Sequence, residues 1–220
     1  MLKRKNKKDK EIRLLVSVGF FLILLSIALV GFKLYQTKSN KLQEDNLKEE
    51  FYKEYEEIRN TPKIEFQDEE EIVIEQPKVE ESKPINKVTY VGVLKIDKIN
   101  LERGFVDKNS PYNNVDINIQ TLKESDMPDA ENGNVILAGH SGSGKTAYFR
   151  NLYKLEKDDN ISVFYNGYEY KYKVVNIYDI DKTGNAHIVR NSNKNTLTLI
   201  TCRDKTEKQI IIICELFERN

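Results

Sequence analysis

"NISVFYNGYEYKYKVVNIYDI", residues 160–180, decides how the folded part of this chain is built. Val, Ile, Tyr and Phe dominate it and largely alternate with polar residues, the two-residue period of a half-buried strand. Asn166-Gly167 interrupts the run near its first third. That dipeptide suits the tight turn in which both central residues take positive φ, so the stretch predicts an antiparallel hairpin. Working outward, "GNVILAG" (133–139), "NTLTLITC" (195–202), "KQIIIICELF" (208–217) and "VTYVGVLKI" (88–96) have strand composition, and "AYFRNLYKL" (147–155) is the one convincing helix. Residues 87–220 therefore read as an all-β, mainly antiparallel domain. Many short strands with one or two short helices suggest a closed or nearly closed barrel.

The rest of the 220 residues is of other material. Lysines plus arginines and aspartates plus glutamates both number 35, so the net charge is zero and gives no reason to expect a nucleic-acid partner. The charges are nevertheless segregated. Residues 1–13 form a basic tail with Lys3, Arg4, Lys5, Lys7, Lys8, Lys10 and Arg13, and residues 14–32, "LLVSVGFFLILLSIALVGF", carry no charge. At 1.5 Å per residue this run covers roughly 28 Å, close to the bilayer core, and the basic flank is expected on the cytoplasmic side. Lys33, Leu34, Tyr35 and Gln36 follow it instead of the small residues of a cleavage site, so a retained single-pass anchor is expected and not a signal peptide. The C-terminal domain is then extracellular. Between them, residues 33–86 read as a stalk and linker: Leu47, Phe51, Tyr55 and Ile58 give a narrow apolar stripe on a charged helix, and "DEEEIVIEQPKVEESKP" (68–84) is acidic chain with Pro77 and Pro84.

"AGHSGSGKT" (138–146) poses the functional question, because Gly139 to Thr146 satisfies the phosphate-loop pattern G-x-x-x-x-G-K-[ST] while a histidine follows its first glycine. The local context suits a nucleotide: a strand precedes, "AYFRNLYKL" could follow as the helix, and the aspartate of "VVNIYD" could hold magnesium. The scale does not suit one. Too little chain and too little helical pattern follow Thr146 to supply parallel strands with crossovers, and the Asn-Gly hairpin demands antiparallel pairing. A loop outside the cytoplasm would also meet little ATP or GTP.

Two cysteines offer another chemistry. Cys202 and Cys214 could be a disulfide. Alternatively, Cys202 ends a strand ahead of polar "RDKTEK", the place of an exposed thiol, while Cys214 within "IIIIC" reads as packing. His140 ends another strand and could pair with Cys202 as base and nucleophile, although spacing alone does not place them together and a lone histidine is often structural.

"GNVILAGHSG" with "TLTLITC" and the opening "YVGVLKIDKINLERGFV" resembles the sortases, membrane-anchored cysteine transpeptidases of Gram-positive bacteria. The resemblance spans residues from about 88 to 217. It implies an eight-stranded β-barrel, with His140 and Cys202 as the catalytic pair and no cofactor or metal. Its implied partners are a sorting-signal peptide like L-P-x-T-G, an amine acceptor on a cell-wall precursor or a pilin, and the lipid bilayer through residues 14–32. Lys145-Thr146 would then complete the phosphate-loop pattern by coincidence.

Sortases also carry an arginine near the start of the last strand, and that place here reads Lys208-Gln209. Arg203 adjoins Cys202 but should face the other side of a regular strand, and lysine lacks arginine's planar fork, so Arg190, in "HIVRNSNKN" (187–195), is favoured as the replacement cation. His187 reads as solvated, and acidic "ESDMPDAEN" (124–132) lacks a calcium-binding spacing. Two other classes remain open: a catalytically inactive membrane-tethered module that binds the sorting peptide, and a phosphate-loop nucleotide-binding regulator.

Overall fold

A computed structural model describes residues 2–61 and 88–220, with side chains from residue 13 onward; the acidic chain expected at 68–84 lies outside the described residues. Residues Leu2–Asn60 form a single helix, α1. From Arg13 it is long and apolar enough to cross a membrane, with a mean hydropathy of 2.7 in its most apolar window. The chain divides into two compact units, Met1–Asn46 and Leu47–Asn220.

The second unit is a single eight-stranded sheet. Its strands are β1 (Gly92–Ile96), β2 (Leu101–Phe105), β3 (Gln120–Thr121), β4 (Asn134–Ala138), β5 (Asn160–Tyr165), β6 (Tyr168–Asp181), β7 (Thr196–Cys202) and β8 (Lys208–Arg219), in spatial order β2-β1-β5-β6-β8-β7-β4-β3. A parallel bridge between Phe105, at the end of β2, and Ile119, just before β3, links the two edges, so the sheet nearly closes into a barrel. The predicted hairpin joins β5 to β6: Tyr165 pairs with Tyr168, and Asn166 and Gly167 both take positive φ (48° and 75°).

Period-2 alternation sorts the side chains. Val163, Tyr170, Tyr172, Leu197, Leu199, Ile210, Ile212 and Cys214 fill the barrel interior, while Ile136, Ile200, Ile211 and Ile213 form a second apolar patch on the opposite face of the sheet. β8 is therefore buried on both faces along Ile210–Cys214, which explains its unbroken apolar run. At the start of the second unit, Phe51 and Tyr55 of α1 are buried with Tyr90, Val93 and Val106, and the Tyr55 ring meets that of Phe164 edge-on at 5.7 Å. The apolar stripe seen in the sequence is thus packed against the barrel.

Two expectations are corrected. "AYFRNLYKL" does not form an α-helix: it is a run of turns ending in one 3-10 turn, Leu152–Lys154. The reason is visible in its bonds, which reach back three residues and not four, from Arg150 to Ala147, Leu152 to Phe149 and Leu155 to Leu152. That tighter spacing buries Phe149 and Leu152 together in the core. It also removes the helix N-terminus on which phosphate binding would depend, and Asp179, the candidate magnesium ligand, is taken by Arg203 at 2.8 Å. The phosphate-loop reading therefore fails.

β4 and β7 pair in parallel, whereas every other ladder between the named strands is antiparallel. The register is tied by a buried side chain: Asn134 Oδ1 accepts hydrogen bonds from the hydroxyls of Thr196 (3.0 Å) and Thr198 (2.9 Å). Removing that acceptor leaves the buried Thr198 hydroxyl without its bond and Thr196 with only a long one, to Gly133 O at 3.4 Å. Asn134→Ala is expected to lower unfolding stability by about 1–3 kcal/mol, read as a shifted urea midpoint at unchanged slope.

Candidate active site

The parallel β4–β7 ladder runs from Asn134↔Thr196 to Ala138↔Ile200. Beyond the named strand, the Gly139 amide still donates to Ile200 O (3.1 Å), and Gly139 O accepts from the Thr201 hydroxyl (2.7 Å). The same register continued to the next residues sets His140 opposite Cys202. This extrapolated register brings two residues 62 positions apart in the sequence to the same end of the β4–β7 pair. Neighbouring strands lie about 4.8 Å apart, a separation that an imidazole and a thiol can span.

Phe149 buttresses the histidine. Its amide donates to His140 O at 3.0 Å, and its ring lies so close beneath Gly139 that a β-carbon there would sit 3.0 Å from ring atoms. Glycine is needed at residue 139 for this approach, not for its φ. The glycines further along the loop, Gly142 and Gly144, have open space around them.

His140 Nε2 lies 2.9 Å from Asp116 Oδ1. A carboxylate only accepts, so Nε2 carries the proton and Nδ1 is left to exchange one. Asp116 is placed by its own loop: its amide donates to Asn114 Oδ1 (2.8 Å), and the Asn118 amide donates to Asn114 O (2.8 Å). Asn118 in turn accepts from Arg103 Nε (3.0 Å), whose guanidinium lies 4.2 Å from the centre of the Tyr148 ring. Asp116 was not found by reading the sequence. It lies in an Asn-rich loop without a pattern, 24 residues from the histidine, and only the fold brings them together.

The two cysteines are unpaired. Cys214 is fully buried in the barrel interior, and burial pushes its thiol pKa well above the ordinary range. Cys202 is partly exposed and opens onto a cleft of about 800 Å³ lined also by Ser141, Phe149, Arg150, Thr201, Arg203 and Ile210. The apolar patch of Ile136, Ile200, Ile211 and Ile213 lies on the outer face of the sheet, the face that alternation along β7 gives to Cys202 together with Ile200. Tyr178 pins the segment beside that patch: its hydroxyl donates to His187 O and accepts from the Val189 amide, both at 2.9 Å, and Ile188 between them packs on the patch.

The structure does not bring Arg190 to Cys202. Its Nη1 donates to the carbonyls of Asn132 (3.1 Å), Asn191 (3.3 Å) and Lys194 (3.3 Å). Asn132 precedes β4 whereas His140 follows it, so about 16 Å of extended strand separates the two places. An arginine in a loop rich in free carbonyls is drawn to them, and the sequence does not say at which end of the sheet they lie. Arg203 is also engaged, through Nε, by both oxygens of Asp179 (2.8 and 2.9 Å). Among the described residues, no group of three or more His, Cys, Asp or Glu side chains is arranged to hold a metal ion.

Comparison with known proteins places these features in context. The family model described as a sortase domain matches residues 94–217. Sortase A of Bacillus anthracis is 30% identical over 145 residues, covering 63% of this chain and 66% of its own length. Sortase D of Bacillus subtilis (strain 168) is 32% identical over 111 residues, covering 50% of this chain and 53% of its own. The chain thus spans between about half and two thirds of these relatives' length. Sortase C1 from Streptococcus agalactiae superposes with a TM-score of 0.52 at 23% identity, over 61% of this chain and 70% of that one. For a lid mutant of sortase A from Corynebacterium diphtheriae the TM-score is 0.51 at 20% identity, over 59% and 70%. These structures share the fold.

Proposed function

The chain belongs to the sortase family of transpeptidases, and from that premise we propose that Cys202 and His140 form its catalytic pair at the outer face of a membrane. The register of β4 and β7, which the Gly139–Ile200 bond carries to the residues just before this pair, is the observation that supports this reading.

In the proposed reaction the Cys202 thiolate attacks the carbonyl carbon of the Thr–Gly bond in a sorting signal resembling L-P-x-T-G. A tetrahedral oxyanion forms and collapses, the C–N bond breaks, and protonated His140 gives its proton to the departing glycine amine. The products of this half are an acyl-thioester on Cys202 and a free C-terminal fragment. An acceptor amine, from a cell-wall precursor or a pilin, then loses a proton to His140 and attacks the thioester carbonyl. A new amide forms, the C–S bond breaks, and the thiolate and imidazolium are restored.

Residues 14–32 would be the anchor, residues 1–13 a cytoplasmic tail, residues 33–86 a stalk and linker, and residues 87–220 the extracellular catalytic domain. The apolar first part of α1 and its basic flank support that arrangement. The apolar patch beside Cys202 suits an extended peptide with apolar side chains. The deciding measurement is mass spectrometry of the full-length protein in detergent, incubated with a library of pentapeptide motifs. An adduct whose mass equals the acyl fragment, mapped to Cys202 and released by hydroxylamine, is expected; no adduct with any motif overturns the proposal.

Asp116 would act as a positioning residue that holds the imidazole through Nε2. Its side chain is 78% exposed, so its effect should be far smaller than that of a buried orienting carboxylate. Asp116→Ala is expected to lower kcat about 10-fold with KM unchanged, and Asp116→Glu to recover part of the loss.

A further inference from the structure

A tetrahedral oxyanion at Cys202 needs hydrogen-bond donors already in place where the charge develops. The backbone donor that follows a nucleophile is often used for this, but here it is committed. The Arg203 amide donates to Lys208 O at 2.8 Å, closing the turn between β7 and β8. The nearby guanidinium groups are also engaged. Asp179 holds Arg203, Arg150 donates from Nε to Gly142 O (3.1 Å) and from Nη2 to Gly144 O (2.8 Å), and Arg190 lies at the other end of β4.

One polar side chain stands directly across from the sulfur. Cys202 and Gln209 are partners in the antiparallel β7–β8 ladder. Cross-strand partners present their side chains on the same face with β-carbons about 5 Å apart. Gln209 is half-buried, between buried Ile210 on its own strand and Ile180, its partner on β6. Its carboxamide has no hydrogen-bond partner among the described residues. Two methylenes carry that carboxamide from the strand toward any oxygen on a carbon bonded to Cys202 Sγ.

We propose that Gln209 donates a hydrogen bond from its carboxamide N–H to the oxyanion of the tetrahedral intermediates, as a neutral donor in cross-strand register with the thiol. The role rests on Cys202 being the nucleophile. The same donor serves both halves of the reaction, because both pass through an oxyanion on the carbon attached to sulfur. Glutamate in its place has nearly the same shape but only accepts when ionised, so it repels the developing charge.

The test is pre-steady-state release of the C-terminal fragment by the full-length protein, alongside the rate of Cys202 alkylation by iodoacetamide, a reaction with no oxyanion. Gln209→Ala is expected to slow fragment release about 10²-fold to 10³-fold, with KM changed little and alkylation unchanged. Gln209→Glu should lose at least as much. Wild-type release rates in both variants overturn the proposal while leaving Cys202 as the nucleophile, as does a loss seen only with Arg150→Ala or Arg203→Ala. A parallel fall in alkylation would also overturn it, by showing that Gln209 acts on the thiol and not on the oxyanion. If the wild-type protein forms no thioester, the nucleophile assignment fails, and the role of Gln209 with it.

Discussion

Cys202→Ala is expected to abolish thioester formation and lower turnover of a sorting peptide by at least about 10⁴-fold, and to leave the native protein almost inert to iodoacetamide. The two halves of this expectation have separate causes. Turnover fails because the only other thiol, Cys214, is fully buried in the barrel interior and cannot take over the attack. Alkylation fails because Cys214 must wait for the barrel to open, and global opening of a stable domain costs roughly 5–15 kcal/mol. Cys214→Ala should do the reverse: full reactivity at Cys202, with a loss of stability of about 1–2 kcal/mol from the emptied site in the core. Peptide mapping after brief alkylation distinguishes the cases. Label on Cys214 in the folded Cys202→Ala protein would show that the interior is open and that the division between a reactive and a packing thiol is wrong.

His140→Ala is expected to lower kcat/KM about 10³-fold, within the usual range for removing a general acid-base group. The fall should come from kcat, because the proposed role of His140 is to move protons and not to hold the peptide. The substitution should be mild structurally, since the His140 side chain is 43% exposed and the Phe149 bond uses its backbone carbonyl. A thioester substrate with a good leaving group bypasses the proton donation in the first half of the reaction, so His140→Ala should lose much less with it than with an amide. An equal loss with both substrates would mean that His140 acts by positioning and not by proton transfer.

Much of the barrel was legible because its strands carry local signals. The Asn166-Gly167 turn and the alternation around it fixed one hairpin, and the apolar runs of β4, β7 and β8 marked the remaining centre of the sheet. β3 was not legible. Two residues long, it is defined only by pairing with Leu137 and Ala138, and Gln120 and Thr121 carry no strand signal of their own. The failed helix at Ala147 shows the same limit from the other side: spacing that suits a helix also suits a string of tighter turns, and burial of Phe149 chose the turns. In the site, the exposed and buried cysteines could be told apart by their flanks. Asp116, Gln209 and the true place of Arg190 could not, because each depends on contacts between segments far apart in the chain, such as the 58 residues between Arg190 and Asn132.

The parallel union of β4 with β7 has an engineering consequence. The alignment of histidine with sulfur is set by ladder bonds and by Asn134, not by the length of the intervening chain. Segment 182–195 can therefore be exchanged for an insert of different length while the register of β4 with β7, and with it the spacing of the proposed pair, is kept. Such a barrel is a fixed chassis with a replaceable connection.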